Sequence, residues 1–278
     1  MNLVEFALLV GAGSLGAGFL GSLTGLGGGV VLVPLLALGF GVDMRYAIGA
    51  SLISVIATSS GAAAAYVKEG YTNLRVGMFL EIATTLGALG GAFLATRVPT
   101  SWIAVIFGLV LIHSAYLSSR TPGTETDGGV SDVWARRLRL DGSYPTPAGP
   151  ETYHVQAVPV GFGLMFMAGA LSGLLGIGSG AIKVLAMDRA MHLPFKVSTT
   201  TSNFMIGVTA GASAGVYLNR GYIDPGLAMP VMLGVLVGSL AGARVLVGAR
   251  TRLLRIIFSL VILLLGIEMI YNGLTGRL

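Results

Sequence analysis

The chain has 278 residues, of which 54% are hydrophobic and only 10% are charged, whereas soluble domains carry roughly 25% charged residues. The formal charge of +5 at pH 7 indicates basic loops on the cytoplasmic side of a membrane rather than a nucleic-acid partner. Because the chain has no cysteine, disulfides, thiol catalysis and cysteine-ligated metals are excluded.

Apolar runs recur along the whole sequence and predict an all-α polytopic membrane protein with about ten transmembrane segments. The first run lacks the basic start of a signal peptide and carries Glu5, so we expect a retained first helix. Two of the runs are short, since a helix over Gly28–Phe40 reaches only about 20 Å against a bilayer core of roughly 30 Å. The predicted segments are Leu3–Thr24, Gly28–Phe40, Tyr46–Val67, Val76–Thr96, Trp102–Leu117, Val158–Leu175, Gly180–Ala190, Val197–Leu218, Leu227–Val247 and Leu254–Tyr271.

Each short segment directly follows a glycine-rich break in an apolar run. Irregular backbone at membrane depth is tolerated only where it lines a cavity enclosed by protein. A half-helix that begins there presents free N–H groups and partial positive charge, which suit an anion. The alternative is that the glycines only permit close helix packing. The residues predicted to bind substrate at the two breaks are Gly25, Gly27, Gly28 and Gly29, and Gly176, Gly178, Ser179 and Gly180.

The two halves of the sequence repeat in one register. A shift of 151 residues aligns the two breaks and also pairs Tyr66 with Tyr217 and Gly70 with Gly221, without a gap. Matching breaks in two halves are the sequence feature that best indicates a central binding site in a transporter. The repeat divides the chain into a first transmembrane repeat at 1–119, a linker at 120–156 and a second transmembrane repeat at 157–278.

Basic residues distinguish parallel from inverted repeats. If all five segments of each half cross, the loops on one side hold eleven Lys and Arg residues and those on the other hold four; with four crossings per half the split is eight to seven. Because basic residues concentrate in cytoplasmic loops, five crossings are favoured, and the second half is then inverted relative to the first. We therefore expect both termini outside the cell and the linker in the cytoplasm. The eleven residues are Lys68, Arg75, Arg120, Arg136, Arg137, Arg139, Arg189, Lys196, Arg250, Arg252 and Arg255.

The linker is the only long polar stretch of the sequence. Apolar residues alternate at Leu138–Leu140 and again at Tyr153, Val155 and Ala157, with turn residues between the two runs. This pattern predicts a small β-hairpin. The alternative is a disordered linker that only joins the halves.

A few polar side chains stand out within the apolar segments. Lys183 follows the second break, and a lysine inside a membrane segment costs roughly 2.5–3.5 kcal/mol on insertion scales, which marks a functional site by default. We predict that it binds the substrate; the alternatives are an ion pair with Asp188 or snorkelling to the membrane surface. Glu81 is the candidate proton-coupling acid, or else a carboxyl that joins helices. Side chains that can donate to a substrate oxygen, or bond to their own helix, are Ser51, Thr201, Ser202 and Asn203.

Signals for an enzyme are weak. The histidines His113, His154 and His192 are widely separated and lack metal-ligand spacing. The first break lacks the acidic residue and the βαβ context of a dinucleotide site. We therefore expect neither enzymatic activity nor a cofactor or metal; a membrane enzyme using Glu81 or His113 is the remote alternative.

The pattern Gly25-x-Gly27-Gly28-Gly29-x4-Pro34, its second copy and Lys196-x4-Thr201-Ser202 resemble the TauE/SafE family, also called the sulfite exporter or TSUP family. The resemblance covers both halves and leaves the linker as the variable part. This chain departs from the family pattern at Ser179, where a third glycine is usual, at Leu185 in place of Pro34, and at Ala50, where a threonine is common. The resemblance implies transport of small sulfur-containing anions, such as sulfite, sulfoacetate or related organosulfonates, across a bacterial or archaeal inner membrane.

These features together favour a secondary transporter that works by alternating access between two inverted halves. Its partners would be the lipid bilayer and a small anion. Because the sequence has no ATP-binding motif, a proton or substrate gradient would drive transport. The alternative is an anion channel that uses the same glycine breaks as a filter.

Overall fold

The computed structural model describes residues 2–24, 29–68, 70–119, 131–146, 149–246 and 251–277. Within these ranges the fold is almost entirely helical. Its first half consists of α1 (Leu3–Thr24), α2 (Gly29–Pro34), a π-helical turn (Leu35–Gly39), α3 (Met44–Lys68), α4 (Leu74–Ala95) and α5 (Thr100–Ser119). The linker holds α6 (Val133–Arg137), β1 (Gly142–Thr146) and β2 (Gly149–Tyr153). The second half consists of α7 (Val158–Leu175), α8 (Gly180–Leu185), a π-helical turn (Ala186–Ala190), α9 (Phe195–Asn219), α10 (Pro225–Leu246) and α11 (Thr251–Leu274).

All ten predicted apolar segments are helical, with ends within about three residues of those expected from the sequence. Three of the described helices are long and apolar enough to cross a membrane by themselves, at Leu74–Ala95, Val158–Leu175 and Pro225–Gly242. Shorter apolar helices lie at Glu5–Leu20, Gly29–Gly39, Thr100–Tyr116 and Ser259–Leu274. The chain is therefore a helical membrane protein, while the count of ten crossings stays a prediction.

The repeat found in the sequence recurs in the backbone. A shift of 151 residues carries α2, its π-helical turn, α3 and α4 onto α8, its π-helical turn, α9 and α10 with the same first and last residues. The shift also relates Asn73, which caps α4 by accepting the Val76 N–H, to Asp224, which accepts the Gly226 N–H at the start of α10. The π-helical turn follows Pro34 in one half and Leu185 in the other, so proline is not its cause.

The closest helix crossings join one half to the other. α1 packs along α10 and α4 along α7, while α5 packs on α11 and α3 on α9. Exchanging the halves turns the α1–α10 pair into the α7–α4 pair, which is the pattern that a two-fold relation produces. Small residues make the α4–α7 crossing close, because a Cβ at Gly87 or Gly91 would collide with the carbonyl oxygens of Phe166 and Ala170.

Both halves expose an apolar stripe on the third of their four long helices. On α4 the exposed side chains include Met78, Ile82 and Leu86, spaced four residues apart, and the shift of 151 places Met229, Leu233 and Val237 at the same positions of α10. Residues spaced in this way lie on one helix face. Such a continuous exposed apolar face fits contact with lipid.

The linker packs as a small cap against α4, α7 and α9. Its antiparallel hairpin pairs Gly142 with Tyr153, so the first strand begins after the alternation at Leu138–Leu140 rather than within it. Leu140, Tyr153 and Val155 are buried in one cluster with Val76 of α4. The Asn73 amide group donates to the Leu140 carbonyl and to the Tyr153 hydroxyl, both at 2.8 Å, and so ties the cap to the start of α4.

Candidate functional site

The second glycine break is a tight turn between α7 and α8. Gly176 ends α7 with φ 69°, and its N–H donates to the Ser172 carbonyl at 2.8 Å. Gly178 and Ser179 follow with φ 72° and 46°, and α8 begins at Gly180. Left-handed backbone is open to glycine but costs other residues roughly 1–2 kcal/mol. Ser179 therefore occupies a position at which glycine would be less strained.

Helices α3 and α9 each donate a side-chain hydrogen bond to this break, and the first residue of α2 packs against it. The Ser51 hydroxyl on α3 donates to the Gly176 carbonyl at 2.8 Å, and the Ser202 hydroxyl on α9 donates to the Gly180 carbonyl at 3.3 Å. A Cβ at Gly29 would lie 2.8 Å from the Ser51 hydroxyl oxygen and 3.2 Å from the Gly176 carbonyl oxygen. The structure thus brings together predicted site residues from both halves.

A small cavity lies beside the break. Its volume is about 10 Å³, which is roughly the room that one water molecule needs. The Ser179 side chain lines it and is buried, and within the described parts of the chain its hydroxyl oxygen has no hydrogen-bond partner. A buried hydroxyl without a partner costs about 1–3 kcal/mol, so this group is available to a ligand. The lining residues are Val30, Val110, Ser114, Ile177, Ser179, Gly180 and Ile182.

Other predicted residues lie elsewhere or outside the described ranges. Gly178 packs toward Val55 and Ile206. The Thr201 hydroxyl accepts the Asn73 N–H at 3.0 Å, so it supports the connection between α3 and α4 rather than the break. Asn203 is half-buried on α9. Gly25, Gly27 and Gly28 lie outside the residues that the structure describes.

Lys183 points away from the break toward α9 and α4. Its side chain is 0% exposed, and its Nζ donates to the Thr209 Oγ1 at 2.6 Å. The alternatives weighed from the sequence are wrong, because full burial excludes snorkelling and Asp188 lies instead beside Arg189, with 3.5 Å between Oδ2 and Nε. The lysine is therefore neither paired with a neighbour in sequence nor a surface anchor.

The same threonine reaches Glu81, so one hydroxyl joins a buried lysine to a buried carboxyl. Thr209 Oγ1 lies 2.7 Å from Glu81 Oε1, and the Thr85 hydroxyl donates to the same oxygen at 3.1 Å. The other oxygen, Oε2, is buried and has no hydrogen-bond partner among the described residues. The two charged side chains singled out in the sequence thus belong to one network.

Sequence reasoning missed Thr209 as a member of this network. The repeat pairs it with Thr58, whose hydroxyl, among the described residues, donates to carbonyls of its own helix at Ser54 and Val55. A search for hydroxyls that follow Ser202 on one face of α9 would have found Thr209, seven residues on. Its partners, however, are distant in sequence.

A second polar cluster lies in the linker. Burial alone would raise the pKa of Asp141, but the hydrogen bonds that Ser131 Oγ and the Val155 N–H donate, at 2.6 and 2.8 Å, together with His154 at 3.6 Å, hold that pKa below its ordinary value. Among the described residues no group of three His, Asp or Glu side chains could hold a metal ion. The Asp141 cluster therefore serves the linker turn.

The break and the buried pair together offer the groups that hold an oxyanion. The cavity is lined by the hydroxyl-bearing residues Ser114 and Ser179 and by apolar residues of α2, α5 and α8, and a lysine lies one turn along α8 from Ser179. Hydrogen bonds to a charged group are worth about 1.5–3 kcal/mol each. The arrangement has no nucleophile paired with a base, as covalent catalysis requires.

The sequence profile of the sulfite exporter TauE/SafE family matches residues 9–269. The chain is 30% identical to the probable membrane transporter protein YunE of Bacillus subtilis (strain 168), with 98% of this chain and 99% of that protein covered. It is 26% identical to the probable membrane transporter protein MJ0441 of Methanocaldococcus jannaschii, with 91% of each chain covered. No solved structure matches it significantly.

Proposed function

Because this chain belongs to the sulfite exporter TauE/SafE family and is a membrane transporter rather than an enzyme, we propose that it carries small oxyanions, sulfite or organosulfonates, through the second glycine break. The observation that carries this proposal is Ser179, a buried hydroxyl without a partner that lines a cavity on strained backbone. Strain of this kind persists where the surrounding structure enforces it and clusters at ligand sites.

Comparison of the two repeats indicates that the fold itself does not need a serine at position 179. The shift of 151 places Ser179 opposite Gly28, a residue type that adopts left-handed backbone at no steric cost. A sulfite or sulfonate oxygen that replaced the missing partner would satisfy the hydroxyl. Ser51, Ser202 and the glycines at 29, 176, 178 and 180 would shape the site around it, and Lys183 would supply positive charge one turn away.

The described cavity is too small for the substrate, which supports a carrier rather than a channel. A volume of about 10 Å³ has room for roughly one water molecule and none for a sulfur oxyanion. Binding therefore requires the helices around the break to move. Because the closest crossings join the two halves, each moving unit would combine helices from both halves, for example α4 with α7, rather than consist of one half alone.

The orientation follows from the distribution of basic residues. The side with eleven Lys and Arg residues would face the cytoplasm, which places the linker inside and both termini outside. The helix pairs that exchange when the halves are swapped fit a two-fold relation between the repeats, and five crossings per half would make that relation an inversion. The two breaks would then enter the membrane from opposite sides and meet near its middle.

Sulfite and sulfoacetate flux into proteoliposomes tests the proposal. Wild-type protein should give saturable flux, and Ser179→Ala should raise the half-saturating concentration about tenfold or more, because a hydrogen bond to a charged group is lost. Ser14→Ala is the matched control, since its hydroxyl is also buried without a partner among the described residues but lies on α1, away from the cavity. Non-saturable flux would favour the channel, and equal effects of the two variants would refute the site.

A further inference from the structure

Lys183 and Glu81 form an isolated buried charge pair. They are the only charged side chains that are buried within the described ranges, and Thr209 joins them through contacts of 2.6 and 2.7 Å. Removing one partner of such a pair leaves an uncompensated charge, which is strongly unfavourable in a low-dielectric interior. The charge of this region is therefore balanced by these two groups alone.

The other helices packed against Glu81 bring no further charge to it. α7 has no ionisable side chain along its length. On α9, Lys196 lies over the Tyr71 ring at 4.1 Å, and the Tyr217 hydroxyl donates to the Gly173 carbonyl at 3.2 Å, so both are engaged elsewhere. On α4 itself, Arg75 donates to the Arg139 carbonyl in the linker. Lys183 is thus the one ionisable partner of Glu81 among the residues described.

The Thr209 hydroxyl can change its acceptor. It has one proton and two acceptors within reach, Glu81 Oε1 at 2.7 Å and the Met205 carbonyl at 2.9 Å. While Glu81 is ionised, the proton is best placed toward the carboxylate. If Glu81 Oε2, which is buried and unpartnered, takes up a proton, the hydroxyl can turn to Met205, and the positive charge of Lys183 is no longer balanced.

We propose that Glu81 is a proton-binding site and that its protonation, passed through Thr209, frees Lys183 to attract the anion. The inference rests on the proposed function, because it needs an anion at the break. Lys183 lies one turn of α8 after Ser179, and its N–H donates to the Ser179 carbonyl at 3.1 Å. One proton on Glu81 and one negative charge beside Lys183 leave the buried region neutral, so proton and anion bind and move together.

A pH gradient across proteoliposomes tests this coupling. With one proton carried per negative charge, sulfite should accumulate in wild-type vesicles by about tenfold per pH unit, because one pH unit corresponds to 1.36 kcal/mol. In Glu81→Gln the accumulation should fall to the ratio that the protonation of sulfite itself produces. Sulfite titrates by itself, but it does so equally in both sets of vesicles, so their difference reports Glu81. Wild-type accumulation in Glu81→Gln would overturn the inference.

Two further variants keep the test decisive. Thr209→Val should reduce the pH response, whereas Thr58→Val, the same change at the equivalent position of the first half, should leave it intact. If Glu81→Gln fails to fold, the double variant with Lys183→Met restores charge balance and should fold, and any sulfite flux that remains should be weaker and should not respond to pH. A pH response in the double variant contradicts the proposal.

The two proposals fail in different ways. If wild-type vesicles show no saturable sulfite flux, or if Ser179→Ala does not alter it, the proposed function is wrong. If the effect of Ser179→Ala stands but Glu81→Gln accumulates sulfite as the wild type does, the site is right and only the proton coupling is wrong.

Discussion

The Ser179→Gly variant is expected to be more stable than the wild-type protein and to bind sulfite more weakly. Ser179 holds left-handed backbone with φ 46°, which costs a non-glycine residue roughly 1–2 kcal/mol. Its unpartnered buried hydroxyl costs a further ~1–3 kcal/mol. Glycine also has more conformational freedom in the unfolded chain, which lowers the gain in stability by about 0.5–1 kcal/mol. The free energy of unfolding should therefore rise by roughly 1–4 kcal/mol.

The loss of affinity follows from the same hydroxyl. A hydrogen bond to a charged group contributes about 1.5–3 kcal/mol, and each 1.4 kcal/mol is a factor of ten in the dissociation constant. Sulfite binding should therefore weaken by about tenfold to a hundredfold. Thermal unfolding of the purified protein, with and without a sulfite titration, measures both quantities, because a ligand of the folded state raises its apparent stability.

Two variants separate backbone strain from ligand contact. His192→Gly is the matched control, because His192 is exposed, has φ 55° and is equivalent in the repeat to Gly41, which has φ 65°. It should raise stability and leave sulfite affinity unchanged. Ser179→Ala should weaken binding but keep the backbone strain. Wild-type affinity in Ser179→Gly would refute the assignment of the site, and lower stability in that variant would refute the strain argument.

Three other changes test the packing and the linker. Gly91→Ala should cost ~1–3 kcal/mol, because its Cβ would collide with a backbone carbonyl of α7, whereas Gly90→Ala on the same helix meets nothing within 4 Å and should stabilise slightly in thermal unfolding. Asn73→Asp keeps the cap of α4 but cannot donate to the linker, so limited proteolysis there should accelerate; an unaltered cleavage rate would show that these bonds do not hold the cap. Because the pKa of Asp141 is lowered, its contribution to linker stability is present above the ordinary carboxyl pKa and is lost as the pH falls through the folded-state value. The protection of the Val155 amide against exchange, relative to the intrinsic rate at each pH, should therefore fall at acid pH in the wild type, and Asp141→Asn should remove that dependence on pH.

The helices and the repeat could be predicted from the sequence because both depend on local patterns. Apolar runs give the helices, and a single shift of 151 residues gives element bounds that recur from α2 to α4 and from α8 to α10. The second glycine break was also predicted in place, since Gly176 caps the end of α7 and α8 begins at Gly180. Left-handed backbone at the break leaves few residue types other than glycine.

The contacts within the site could not be predicted, because they join residues far apart in sequence. Thr209 bonds to Lys183 across 26 residues and to Glu81 across 128, and no local pattern reports such distances. Lys183 was expected at the break, but α9 offers it a hydroxyl on the opposite side. The two charged residues could thus be recognised as unusual from the sequence, but the hydrogen bonds that join them through Thr209 could be found only in the structure.

The hairpin was displaced for a different reason. Pro145 and Pro150 face each other within it, whereas prolines in a sequence indicate a turn rather than a strand. Both strands lie at the edge of a two-stranded sheet, so a residue without an N–H can be accommodated. The apolar alternation at Leu138–Leu140 instead ends α6 and buries Leu140 under the cap.

The pairing of α4 with α7 and of α1 with α10 has a consequence for biosynthesis. The glycine faces of the first half, including Gly18 on α1 and Gly87 on α4, fit only against the backbone of α10 and α7, which the ribosome makes later. The first half would therefore enter the bilayer with its packing faces unoccupied, and these contacts would form only after the second half has been inserted. Although the halves are repeats, we expect neither to fold alone: co-expressed as two fragments they should assemble, and expressed singly each should be degraded.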